Sequence, residues 1–319
     1  MKVTEHIEKA KGKSLISFEI IPPKKDHGID DLYKNLDPLI EFQPAFIDVT
    51  TSREEYIYVE KHEGLMERKI SRLRPGTLGI CASIQYKYGI DTIPHVLCGG
   101  FTKEETEYLL IDCLYLGIDN VMALRGDAMK GEKYFQSKKG GNHYASDLIS
   151  QMNDLGRGRF LHGETSENEW DKKFCIGIAG YPEKHLEAPS MQYDIKMLKH
   201  KVDLGADYVV TQMFLDNKKY FEFVKLAREA GINVPIIPGI KPIATKKHLW
   251  LLPQVFKIDI PEELVNAVLE CKNNEAVRQV GIEWAIKQCK ELVEFGVPSL
   301  HFYTMGRSEN IKKIVSEIL

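Results

Sequence analysis

No run of about 18 consecutive apolar residues occurs in this 319-residue chain, so no segment is expected to span a bilayer. The amino terminus, MKVTEHIEKAKGK, lacks the apolar core of a secretory signal and reads as a short charged helix. The six cysteines, at 81, 98, 113, 175, 271 and 289, form no CxxC pair. That argues against a disulfide scaffold and points to reduced, mostly buried thiols in a cytoplasmic protein. Charge of one sign is also missing. Forty-three Lys+Arg against 46 Asp+Glu leave a net charge of −3, without the basic excess of a nucleic-acid-binding surface. GxGxxG, a Walker loop and GxSxG are absent, which removes the usual dinucleotide, P-loop and serine-hydrolase signatures. HxH, HExxH and HxxxH are absent as well, so no metal site is expected. No Pro-, Gly- or Ser-rich linker divides the chain, and 1–319 is expected to form a single domain.

What is present is an ordinary globular composition, 43% hydrophobic and 28% charged. Eight short apolar runs punctuate the chain: 15–21, 46–50, 95–98, 120–124, 175–179, 208–213, 235–240 and 300–304. Several are continuously apolar, as strands buried on both faces of a parallel sheet are. Helical patterns lie between them. The stretch 102–116 opens with Thr102 and Glu105, a capping box, and stops at Gly117. The stretches 190–204 and 215–230 stop at Gly205 and Gly231. YLGIDNV, DLGADYV and EAGINVP thus repeat one helix-to-strand joint. Repeated βα units with eight strands indicate a (β/α)8 TIM barrel, with an open doubly wound sheet as the competing arrangement. Three segments fall outside the repeat. Residues 76–93 read as extra strand or loop, 156–173 as a polar surface excursion, and 261–295 as a helical pair before the last strand.

In such a barrel the active site lies at the carboxyl ends of the strands, while mid-strand residues mostly fill the core. Glu19 interrupts the apolar run of the first strand, SFEIIPPKK. It either points into the mouth, where burial raises its pKa and suits it to donate a proton, or is satisfied by a structural Lys or Arg. The fourth strand ends ALRGD. Arg125 suits a phosphate, Gly126 permits close backbone approach, and Asp127 suits an N–H or a developing positive charge; a capped turn is the plainer alternative. The loop GYPEKHLEAP carries Tyr181, Glu183, His185 and Glu187, or is a solvated turn. Gln212 offers both donor and acceptor to a pterin-like or pyrimidine-like edge, or bonds to backbone. HFYTMGR brings Tyr303 and Arg307 toward the same mouth. Tyr220, Phe221 and Phe223 read as core or subunit contact, and KKGGN at 138–142 as a mobile loop.

SFEIIPPK, FIDVT, PHVLC, ALRGD, YASDL, GYPEKHLEA, DIKMLKHKVDLGADYVVTQMF, IIPGIKPI and HFYTMGR follow one another in this order. Nine such pieces in sequence resemble the methylenetetrahydrofolate reductase family from Ser17 to Arg307, in its short bacterial form. The resemblance implies a flavin-binding catalytic barrel. FAD lies at the carboxyl ends of the strands, is reduced by a nicotinamide donor (NADH favoured over NADPH), and passes the hydride through flavin N5 to 5,10-methylenetetrahydrofolate in a ping-pong cycle. The product, 5-methyltetrahydrofolate, supplies methyl groups for methionine synthesis. Glu19 matches the acid that helps open the five-membered ring to an N5 iminium, and Asp127 matches the carboxylate near the flavin that tolerates that cation. Gln212 matches the pterin-binding amide, with Tyr303 and Arg307 near the folate and nicotinamide. Flavin contacts are implied for Thr50, His95, Arg125, Gly126, Asp127, Tyr144, Ala145, Tyr181, His185, Asp194 and Lys201. A homo-oligomer is a family-level expectation.

Departures from the family pattern stand at Thr51, His200, Lys246 and Gly306, and Arg53 is placed to take over part of an adenosine or phosphate contact. Two other function classes compete. A lyase on the same barrel would use Lys241 as nucleophile, and a non-catalytic folate- or flavin-binding barrel would not need Glu19, Asp127 and Gln212 together.

Overall fold

The computed structural model describes residues 1–129, 132–167, 173–306 and 308–319, with Glu63 described by its backbone alone. Eight parallel strands form the barrel: Leu15–Ile20, Phe46–Val49, Asp91–Leu97, Asn120–Leu124, Cys175–Gly180, Tyr208–Thr211, a seventh in two pieces, and Ser299–Tyr303. The seventh consists of Ile236–Ile237, paired to the sixth, and Gly239–Ile240, paired to the eighth. Pro238 between them has no N–H for a ladder, so the strand switches neighbours there and the ring closes. The barrel, rather than the open sheet, is the observed fold.

Strand alternation sorts side chains into two cores. Phe18, Ile20, Ile47, Val49, Val121, Ile176, Ile178, Leu300 and Phe302 point outward and pack under the helices. Phe46, Ile93, Met122, Cys175, Tyr208, Val210 and Ile237 fill the barrel interior. The charged N-terminal helix, Val3–Lys9, plugs the lower end. Val3 is fully buried and its N–H donates to Asn120 Oδ1 at 2.9 Å.

The helical stops fall where glycine ends a turn: Lys103–Tyr115 before Gly117, Met191–Asp203 before Gly205, and Asn217–Glu229 before Gly231. Thr102 caps the first through its hydroxyl, and Glu105 closes the capping box. The pair before the last strand is Glu262–Glu270 and Asn274–Phe295. Tyr220 and Phe223 are core residues. All six cysteines are free thiols, five of them buried. Among the described residues no helix is long and apolar enough to cross a membrane.

The segment 76–93 corrects the expectation of extra strand or loop. It forms the helix Thr77–Tyr88 and then the start of the third strand at Asp91. Ile80, Cys81 and Ile84 recur at helical spacing and are buried, but intervening apolar residues blur that period in the linear sequence. A second feature escaped sequence reading altogether. After the second strand, Glu55–Glu60 and Met66–Ser71 pair as an antiparallel hairpin apart from the barrel sheet. The excursion 156–173 leaves the barrel as expected; within its described part Arg159 bridges to Thr165, and 168–172 lie outside the described residues.

Two glycines test this packing. A Cβ on Gly281 would overlap the Ile243 carbonyl, a backbone atom that cannot swing aside. Gly281→Ala is expected to destabilise the protein by at least about 1–3 kcal/mol in urea unfolding. Gly79 has open space around it inside a helix, so Gly79→Ala is expected to stabilise by roughly 0.5–1 kcal/mol. Equal effects from the two would contradict the packing described.

Candidate active site

Register places the chemistry. Glu19 on the first strand is the Cα partner of Asp48 on the second and of Tyr303 on the eighth. All three point inward because they share the parity of Ser17, Phe46 and His301. His95, on the third strand, leans between the carboxylates. Its Nε2 lies 3.5 Å from Glu19 Oε2 and 3.5 Å from Asp48 Oδ2. These are ion-pair distances, too long for ordinary hydrogen bonds, and neither oxygen of Asp48 has a hydrogen-bond partner. Asp48 is wholly buried and Glu19 is 17% exposed, so Glu19 alone of the two carboxylates reaches the mouth.

Burial pushes the Glu19 carboxyl up to about 7; the His95 charge works against this, and Asp48 works with it. Burial alone would lower His95, but Asp48 and Glu19 override it and hold the imidazole above its ordinary value. Lys241, just past the seventh strand, is brought down to about 8 by burial, with Glu19 opposing. The Tyr303 hydroxyl donates to the Thr211 carbonyl at 2.6 Å, and burial together with Glu19 and Asp48 keeps the phenol neutral. Gly239 is required beside it, since a Cβ there would strike both Thr211 O and the Tyr303 ring. Deeper in the barrel His301 receives or gives a hydrogen bond at Ser17 Oγ, 2.9 Å away, and burial lowers its pKa.

A second cluster sits on the loops after the fourth and fifth strands. Gly126 takes φ +84°, which turns the chain sharply after Arg125. The Arg125 guanidinium holds the Glu187 carboxylate at 2.5 and 2.8 Å and lies 5.0 Å over the Phe135 ring. Arg53 donates to the Asp127 carbonyl at 2.5 Å, which anchors the ALRGD turn. Tyr181 and His185 meet edge to face at 4.7 Å. The His185 N–H donates to Asp194 Oδ2 at 2.7 Å, and Lys201 donates to the Ala179 carbonyl at 3.1 Å. Burial brings Lys201 down to about 8, with Asp194 opposing. Tyr144 is exposed and Ala145 begins the helix Ala145–Gly156. Arg125, Tyr134, Phe135, Ser137, His143, Tyr144 and Glu187 line a recess of about 230 Å³.

The two clusters meet. Tyr181 stands in the fields of Asp127 and Asp194, and Tyr303 in those of Glu19, Asp48 and Tyr181. Thr50 closes the second strand, its N–H donating to the Ile20 carbonyl at 3.0 Å. Gln212 follows the sixth strand and folds its Oε1 back onto the Met213 N–H at 2.9 Å. Other expectations fare differently. Glu183 turns to Asp259, accepting from its backbone N–H at 2.8 Å. Lys246 is tied to the Leu269 carbonyl at 2.9 Å, and His200 lies on an exposed helix face. Arg307 lies outside the described residues. Sequence reading missed Asp48. Its signal was the one that marked Glu19, a carboxylate in an apolar strand, but its mid-strand position suggested core.

A family profile described as methylenetetrahydrofolate reductase matches residues 2–319. The chain is 34% identical over 318 residues to methylenetetrahydrofolate reductase (NADH) 1 of Arabidopsis thaliana, covering 96% of this chain and 49% of that one. It is 29% identical over 309 residues to 5,10-methylenetetrahydrofolate reductase of Salmonella typhimurium, covering 96% and 91%. The chain therefore spans about half the length of the eukaryotic relatives it matches. Among solved structures, an uncharacterized protein from Clostridium thermocellum that binds two copies of 5-methyl-5,6,7,8-tetrahydrofolic acid shares the fold, with TM-score 0.58, 16% identity, and coverage of 99% and 97%.

The raised pKa of Glu19 has a consequence for stability. A carboxyl that holds its proton more tightly when folded favours the folded state while protonated. Its contribution is therefore lost as pH rises from 4.5 to about 7. Glu19→Gln removes this penalty, and is expected to stabilise the protein above about pH 7 by up to about 3 kcal/mol relative to its effect below pH 4.5. Urea midpoints across that range measure it; parallel curves for the two proteins would rule it out.

Proposed function

The chain belongs to the methylenetetrahydrofolate reductase family, and from that premise we propose that it reduces 5,10-methylenetetrahydrofolate to 5-methyltetrahydrofolate with electrons from a nicotinamide, NADH in preference to NADPH. The observation that carries this reading is Glu19. It is a carboxyl that keeps its proton to about pH 7 and is set at the open end of a barrel whose family profile covers residues 2–319.

The mouth residues suit FAD in chemistry. Arg125 and Lys201 are cations for a diphosphate, Phe135, Tyr144 and Tyr181 are aromatic surfaces, and the turn at Gly126 leaves backbone open to approach. Thr50, His95, Asp127, Ala145, His185 and Asp194 complete the proposed contacts. When bound, FAD supplies a ring that accepts hydride from the nicotinamide and delivers it to the folate. The Arg125–Glu187 pair closes part of this surface, so Glu187 must release Arg125 for it to serve a phosphate.

Glu19 gives its proton to N10 of the folate as the bond from the bridging carbon to N10 breaks, which leaves an N5 iminium that accepts hydride and becomes the N5 methyl group. Asp127 supplies negative charge toward that cation in a partly dry site. Gln212 binds the pterin edge through its amide, and Tyr303 walls the folate side. We place the activity in the cytoplasm, in a homo-oligomer, within methionine-directed one-carbon metabolism.

Anaerobic stopped-flow of the flavin band tests the assignment. NADH should bleach it, and methylenetetrahydrofolate should restore it. Glu19→Gln should keep the first step and slow the second by about 10²–10⁴-fold. Asp127→Asn should also slow the second step. A protein that stays colourless after addition of FAD would overturn the proposal, and equal loss of both steps in Glu19→Gln would remove Glu19 as the acid.

A further inference from the structure

One imidazole nitrogen near the barrel mouth, that of His95, is contested by two carboxylates. His95 Nε2 is equidistant from Glu19 and Asp48, at 3.5 Å, and is itself without a full hydrogen bond. Asp48 has no exposure, so no solvent compensates its charge, and its two oxygens have no hydrogen-bond donor. A buried carboxylate in that condition depends on a nearby cation.

The other groups around it do not serve as that cation. On the eighth strand, His301 is shifted toward its neutral form by burial and is committed to Ser17, and Tyr303 is a neutral phenol bonded to Thr211. On the sixth, the buried Tyr208 hydroxyl has no partner and stays protonated. Tyr181 on the fifth is likewise held neutral, by burial and by Asp127 and Asp194. Lys241, after the seventh, acts on Glu19 more weakly than His95 does. Among the described residues this leaves His95 as the nearest positive charge to the two carboxylates, with Lys241 acting more weakly on Glu19.

We propose that Asp48 is a positioning residue that competes for the imidazolium of His95, so that Glu19 has only a share of its close counter-charge and stands at the mouth as a neutral carboxylic acid. This deepens the function proposed above, since it assigns the element that loads the acid. No covalent step is involved. Asp48 has no exposed surface, and it acts through His95.

The proposal makes opposite demands on two variants. In Asp48→Asn the His95 charge is freed to act on Glu19, which should then ionise at a pH lower by about one unit or more. In His95→Gln the cation is lost while Asp48 stays, so Glu19 should hold its proton to a higher pH than in the wild type. The readout is the carboxylic C=O stretch of Glu19 in pH-difference infrared spectra, identified by its disappearance in Glu19→Gln. This measurement needs neither cofactor nor turnover, so it stands apart from any failure of the folate reaction. In turnover, Asp48→Asn should move the pH profile of folate reduction to lower pH, with rate recovered on the acidic side. A uniform loss at every pH would assign Asp48 a structural role only. An unmoved Glu19 band in Asp48→Asn overturns the proposal; if that variant does not fold, a His95→Gln band that fails to move upward overturns it equally.

Discussion

Two carboxylates facing one imidazole nitrogen inside a closed barrel set the terms for the rest of the molecule. Glu19, Asp48 and His95 come from the first three strands, so their meeting requires those strands to be parallel and in the observed register. A shift of one residue in either pairing would send a carboxylate outward into the helix-packed layer. The outer layer of Phe18, Ile47, Val49 and Phe302 is apolar enough to resist that shift. The hydrophobic pattern on the outside of the barrel thus fixes the electrostatics on the inside.

The same logic explains the small residues. Gly177 lies against the Tyr208 ring and Gly239 against Tyr303, so two bulky phenols fit inside the barrel only because their neighbours have no side chains. Tyr303 can then spend its hydroxyl on Thr211 and wall the space beside Glu19. Around the mouth, charged residues are mostly committed to partners that hold loops: Arg53 to Asp127, Arg125 to Glu187, and Asp194 to the His185 backbone. The loops held through Arg53 and Asp194 lose less entropy when a ligand orders them.

Much of this was legible without coordinates. All eight strands and the repeated helix–glycine–strand joint followed from composition and period, because parallel strands buried on both faces leave continuous apolar runs. Glu19 stood out because a carboxylate in such a run demands an explanation. The helix at Thr77–Tyr88 did not stand out, since its polar and apolar residues are too mixed to show a clear face. The hairpin at 55–71 alternates only weakly, because both of its faces are exposed. Glu183 and His185 are two residues apart in sequence yet face different surroundings, a divergence that depends on how the loop turns.

Local pattern determined the elements, their order and the strand ends where chemistry belongs. These depend on propensity and period, which are written in neighbouring residues. Only the tertiary structure decided that Asp48 shares His95 with Glu19 and that Arg125 is held by Glu187. Only there did Lys241, two strands away around the ring, come within reach of Glu19. The physical reason is range: a charge responds to whatever the closed barrel brings within a few ångströms, and residues 29 to 222 positions apart in the chain become neighbours only when the ring of strands is complete.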